Sequence, residues 1–245
     1  MTVAFMAIAG VIAGLVLDEL VARLAREPYE RETGDGDEFQ GEGHGPGVPA
    51  LDLGSEAGTA TLPALLTTRS PYRRLAVVAA TAAAFAVTGW QYAGGEWHLA
   101  VVAAYAAVFI VCAATDIIAF RVPNAVTYPA IIGALALGMV TPEETRGDVI
   151  AGGLIFGGLF FMMNVLTRGG MGMGDVKLAL FAGLALGLSN VVPAMMIMAL
   201  AGGAVAVVLL VTRVRGRGDP IPYAPYISLG ALFAMLLQGT AVAVV

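Results

Sequence analysis

Apolar runs long enough to cross a lipid bilayer constrain this chain more than any other feature. They cover residues 2–21, 75–93, 97–115, 125–140, 149–166, 191–212 and 226–245. A spanning helix needs about 20 residues, with a lower limit near 17. One further run, 178–188, holds only 11 residues, roughly 17 Å of helix. Composition agrees with a chain dissolved in lipid. The apolar fraction is 58% and the charged fraction 13%, against roughly 45–50% and about 25% in soluble domains. A mean hydropathy of +0.83 is too high for one water-soluble core. The expected fold is all-α: a polytopic membrane protein of about eight transmembrane helices.

The net charge of −5 describes one segment and not the whole molecule. Between Glu27 and Glu56 lie nine acidic residues and a single basic one, Arg31, while the rest of the chain is on balance basic. Residues 25–74 form an acidic, Gly-rich loop that cannot bury enough apolar surface to offset its ordering entropy, and disorder is expected there. The single cysteine, Cys112, excludes a disulfide framework and a cysteine-based metal site. The start, Met1-Thr2-Val3, lacks a basic region, so the first apolar run is expected to be a retained helix. No nucleic-acid partner is expected; the partner common to all these runs is the bilayer.

The short run 178–188 either fuses with the next one or turns back through Ser189-Asn190. Basic residues decide, because loops rich in Lys and Arg stay cytoplasmic. With a hairpin, both termini lie outside and 12 of the 13 basic residues fall inside, only Arg146 remaining outside. Fusion would carry Arg213, Arg215 and Arg217 across the membrane. The hairpin is therefore expected, with the short helix starting near Met173. The chain divides into a first transmembrane helix at 1–24, a cytoplasmic loop at 25–74 and a membrane domain of seven helices at 75–245. The expected location is the plasma membrane, with Asp116 and Asp175 both on its cytoplasmic side.

Acids near a bilayer core are costly and default to functional candidates. Asp116 opens a segment that runs through Arg121 and Val122 to Pro123 and Asn124, and Pro123 must end one helix and begin another. Asp175 follows Gly169, Gly170, Gly172 and Gly174. Glycines there admit unusual backbone conformations and close approach of another chain, so a substrate strand could pair along the loop. Asp18 and Glu19 sit near the cytoplasmic end of the first helix, where water is within reach.

Gly172-Met173-Gly174-Asp175-Val176-Lys177 resembles the GxGD motif of the type IV prepilin peptidases, a family of membrane aspartyl proteases. Asp116 with Val122-Pro123-Asn124 is similar to that family's other catalytic segment. The stretch from Gly14 through Asp18 to Leu24 and the Pro-rich Ile221–Gly230 resemble two further family patterns, in the right order. The resemblance implies catalytic roles for Asp116 and Asp175 and supporting roles for Gly172, Gly174, Pro123, Asn124 and Lys177. It also implies a type IV prepilin or pseudopilin substrate with a basic leader and an apolar helix. Hydrolysis by such a pair needs no metal and no cofactor. Many family members carry a Cys-rich zinc-binding insert after the first helix, absent here, and Asp18 stands where the family has Asn. Both departures weigh against the family's second activity, N-methylation of the product.

Alternatives from other classes remain open: a small proton-coupled transporter using the same acids, or another GxGD protease. Lys177 lies two positions from Asp175 and points elsewhere on a helix. Snorkelling to headgroups is its first reading, and tuning the pair or binding substrate its second. Arg121 reads as a cytoplasmic anchor. The glycine pairs Gly10/Gly14, Gly153/Gly157 and Gly183/Gly187 have the spacing of close helix packing. The Pro220–Pro225 segment either narrows the entrance beside the acids or merely breaks a helix.

Overall fold

The computed structural model describes residues 2–25, 71–92, 96–168, 171–212, 222–238 and 240. Of the disordered loop expected over residues 25–74, residues 26–70 lie outside these, whereas residues 71–74 already form the first turn of a helix. Among the described residues there are eight helices and no strand. In chain order they are α1 (Thr2–Leu24), α2 (Pro71–Gln91), α3 (Glu96–Ala119), α4 (Asn124–Val140), α5 (Glu143–Leu166), α6 (Met173–Leu186), α7 (Leu188–Thr212) and α8 (Ala224–Gln238). Four of them, α1, α3, α5 and α7, are long and apolar enough to cross a membrane by themselves, and α4 and α8 are shorter apolar helices. The chain is a polytopic, all-helical membrane protein.

α1 shows how the bilayer inverts the usual arrangement. Gly10, Gly14 and Asp18, spaced four apart, face inward, while Phe5, Ile8, Ile12 and Val16 are exposed. Tails of lipid are as apolar as leucine, so the inward face is chosen for close approach and not for greasiness. A Cβ on Gly14 would lie 2.7 Å from the Val78 backbone, and one on Gly10 would lie 2.8 Å from that of Ala82. Both glycines therefore let α1 lie directly on α2. Gly153 and Gly157 do the same for α5 against Leu180 and Leu184 of α6.

The short helix α6 is the centre of the bundle. It starts at Met173, as its length requires, and ten of its fourteen residues are buried. The chain turns immediately after it, two residues before the expected Ser189-Asn190, because Gly187 adopts φ 70°, ψ 165°, a region essentially restricted to glycine. The new helix is then fixed by Asp148 of α5, whose Oδ1 accepts from the Ser189 N–H at 3.2 Å and its hydroxyl at 3.0 Å. The antiparallel return makes α6 and α7 separate elements.

Phe181 of α6 holds α3 alongside by its ring, which meets Tyr105 edge-on at 5.3 Å and Phe109 at 5.0 Å. Phe181 lies six residues beyond Asp175, and Phe109 seven residues before Asp116. At about 1.5 Å of rise per residue, both acids therefore stand roughly 9–10 Å from this ring cluster. Two helices running in opposite directions thus present their carboxylates at one level.

Candidate active site

Asp116 sits in the last turn of α3. The helix ends when Phe120 takes φ 50°, its N–H bonding back to the Asp116 carbonyl at 2.9 Å. Shortly afterwards Pro123 caps α4 with an extended backbone. Arg121, read as a simple anchor, instead has a definite partner: its Nη2 donates to the Leu24 carbonyl at the end of α1. The Asp116 carboxylate is buried, only 5% exposed, and its Oδ2 accepts the Ala224 N–H at 3.0 Å. Ala224 is the first residue of α8. A helix N-terminus carries orphan N–H donors and partial positive charge, so Asp116 serves as a cap borrowed from another element. The N-terminus of α8, which begins just after Pro222 and Tyr223, thereby points at Asp116.

Asp175 stands in the first turn of α6, whose N-cap is Gly172. It too is buried, at 8% exposure, and it too lies at a positive helix end. Its Oδ1 has no hydrogen-bond partner among the described residues. Two buried carboxylates, each on a helix N-terminus, form the core of the candidate site. Favourable helix-end placement contributes up to about 2 kcal/mol per carboxylate in partly buried geometry.

The glycines behave differently from the expectation. Neither Gly172 nor Gly174 has a positive φ, and Gly172 sits at φ −65°, ψ 137°, open to any residue. Gly174 lies within α6 and not in an extended loop, so the sequence Gly172–Asp175 offers no edge for strand addition. What Gly174 supplies is closeness: a Cβ there would lie 2.9 Å from Val122 Cβ. The start of α6 thus packs against the residue before Pro123, and the two motifs, some 50 residues apart in sequence, become one structure.

Lys177 completes the junction. Its Nζ donates to Asn124 Oδ1 at 3.1 Å and lies 4.6 Å from the centre of the Tyr128 ring. This ammonium is tied to the start of α4 instead of snorkelling to headgroups. On the other flank, the Asn164 side-chain amide donates to the Met171 carbonyl, fixing the chain just before α6. Among the described residues, no three His, Cys, Asp or Glu side chains cluster as a metal would require.

Asp18 corrects another expectation. It does not reach water but is 7% exposed, and accepts from Arg73 Nε at 2.8 Å and Nη2 at 3.3 Å. Sequence reasoning missed Arg73 because residues 26–70 separate the two partners. It also missed Ala224, which acts through its backbone and so leaves no side-chain signature.

Residues 103–210 match the type IV leader peptidase family model, a span holding Asp116, Val122-Pro123-Asn124, Gly172, Gly174, Asp175 and Lys177. Over that span the chain is similar to the type IV leader peptidase family. Over 126 residues it is 28% identical to a prepilin leader peptidase/N-methyltransferase of Aeromonas hydrophila, covering 49% of this chain and 43% of that protein. Over 157 residues it is 27% identical to a protein of the same name from Bacillus subtilis (strain 168), covering 64% of this chain and 62% of the relative. The chain thus aligns with less than two thirds of the length of either leader peptidase. No solved structure matches it.

Proposed function

We propose that this protein is a membrane aspartyl endopeptidase that removes the basic leader of a type IV prepilin-like protein. One observation carries this reading: two buried acids, Asp116 and Asp175, each stand at a helix N-terminus, Asp116 at that of α8 and Asp175 at that of α6. Like charges held close and away from water do not both ionise readily, so the pair retains one proton between them. The ionised member takes a proton from water as its oxygen attacks the scissile carbonyl carbon. The protonated member donates to the peptide group, and the carbon–nitrogen bond breaks to give a carboxylate and an amine. The unpartnered Oδ1 of Asp175 is an acceptor at which such a water can be held. No metal, cofactor or covalent intermediate enters this scheme.

Gly172, Gly174, Pro123, Asn124 and Lys177 position the pair and do not take part in proton transfer. The working direction is read from charge in the sequence: 12 of the 13 basic residues belong to the side that bears the acids, which supports a site facing the cytoplasm at the plasma membrane. Methyl transfer, which the relatives' names include, is not part of this reading. Residues 25–74 contain no cysteine, and Asp18 is occupied by Arg73. The test is cleavage of a synthetic prepilin with a basic leader by the purified protein in detergent. Wild type is expected to release the leader, and Asp116→Asn and Asp175→Asn to leave it attached; cleavage surviving in either variant overturns the proposal. Activity is also expected to fall on both sides of a pH optimum, since a pair with two protons lacks a base and a pair with none lacks an acid. Mass analysis of the product with S-adenosylmethionine present is expected to show an unmethylated amine.

A further inference from the structure

α2 and α8 are clasped at one end and parted at the other. The clasp is made by Gln91, whose Nε2 donates to the Leu236 carbonyl at 2.7 Å, and by the Tyr92 hydroxyl on the Met235 carbonyl at 3.2 Å. Away from it the helices leave a cavity of about 250 Å³, floored by α3. This exceeds the roughly 150 Å³ apolar cavity that admits a benzene ring. Its walls are small on two sides, Ala76 and Ala80 from α2 and Ala113 and Ala114 from α3, facing Leu229 of α8. Ala80 and Leu229 are exposed, so the space opens towards the lipid.

Two features separate this space from an ordinary lipid-facing crevice. Arg73 and Ser228 both line it, both are at least nine-tenths buried, and Arg73 Nη1 and Ser228 Oγ have no partner among the described residues. Asp18 already neutralises the guanidinium, so what remains is a demand for an oxygen acceptor, charged or not. Buried donors left without one are costly. The cavity also adjoins the acids: Ile117 and Pro225 line it, and they directly follow Asp116 and the Ala224 that holds it.

We propose that this groove between α2 and α8 is the docking site for the apolar segment of the substrate beside its scissile bond. Bulky side chains of that segment fill the alanine-floored space, and one of its oxygen atoms receives Arg73 Nη1 and Ser228 Oγ. The inference rests on the peptidase reading and adds to it the path by which a membrane-embedded substrate reaches Asp116 from the side. Lipid hydrocarbon satisfies the shape of the groove but supplies no acceptor to the two donors.

The test places a photo-reactive amino acid at Ala80, Leu229 or, as control, the exposed Val207 of α7, in full-length Asp116→Asn protein in nanodiscs with the synthetic prepilin. Adducts to the prepilin's apolar segment are expected from Ala80 and Leu229 and not from Val207. In the otherwise wild-type chain, Ala80→Trp is expected to raise KM about tenfold, with the loss in kcat/KM carried mainly by KM. Adducts to lipid alone at Ala80 and Leu229, or an Ala80→Trp KM equal to wild type, overturn the docking site while leaving the peptidase reading intact. Absence of cleavage by wild type removes both.

Discussion

Gly174 has no side chain because Val122 occupies the space one would need, and that contact is what seats Asp175 beside the segment bearing Asp116. Gly174→Ala is therefore expected to push the two motifs apart and to destabilise the protein by about 1–3 kcal/mol, the usual cost of overpacking. Leader cleavage should fall at least tenfold while the helix content measured by circular dichroism stays unchanged; full activity in Gly174→Ala would show the contact to be incidental. The sequence pattern pointed to Gly174 for a closeness that the structure shows and for a backbone freedom that it does not. Asp18 was legible as an acid in a helix but not as a paired one, since nothing local announces a partner 55 residues away. Removing one member of a buried ion pair strands the other at a cost of about 3–5 kcal/mol. Arg73→Gln should lower the thermal unfolding temperature in detergent, and adding Asp18→Asn should recover much of the loss. An Arg73→Gln protein as stable as wild type would mean that Asp18 finds water after all.

Helix starts hold both candidate acids, Asp175 within α6 and Asp116 against α8, and they were only partly readable. Pro123 marked the beginning of α4 and the shortness of the apolar run after Asp175 marked that of α6, because length and proline act within one element. The beginning of α8 was visible as a Pro-rich break, yet its purpose, an N–H aimed at Asp116, depends on a partner 108 residues away. Gly187 shows the same limit at the other end of α6. Charge arithmetic required a turn somewhere between α6 and α7, but only the backbone identifies the residue that makes it. Gly187→Ala forces a side chain into a glycine-only conformation and should cost about 1–3 kcal/mol, read out as a lower unfolding temperature. At the α4–α6 junction, Lys177→Met removes the bond to Asn124, worth about 1 kcal/mol. It is expected to reduce kcat several-fold with little change in KM; the reverse pattern would place Lys177 in substrate binding.

Across the whole molecule, lipid as solvent made the architecture legible, because only a bundle of about eight helices accommodates these runs and this distribution of basic residues. The same solvent hid the packing. Glycine and alanine on inward faces carry almost no hydropathy signal, so the α1–α2 contact and the groove beside α3 emerged only from the folded bundle. Sidedness is a whole-molecule property with its own check. Cysteine introduced at Asn124 in a Cys112→Ser chain should react with an impermeant thiol reagent only from the cytoplasmic side, and cysteine at Ser189 only from the opposite one. Labelling of both positions from one side would break the antiparallel order of α6 and α7 and the placement of the site.

The proposed peptidase activity depends on Asp116 and Asp175 acting as a unit, and the most direct measurement is kcat/KM for the two single Asp→Asn variants and for the double variant on one prepilin substrate. A pair that shares a proton loses its function with either member, so each single variant should fall about a thousandfold or more and the double variant no further than the worse of the two. A double variant whose loss is the product of two separate, moderate losses would contradict the account, because the acids would then work independently.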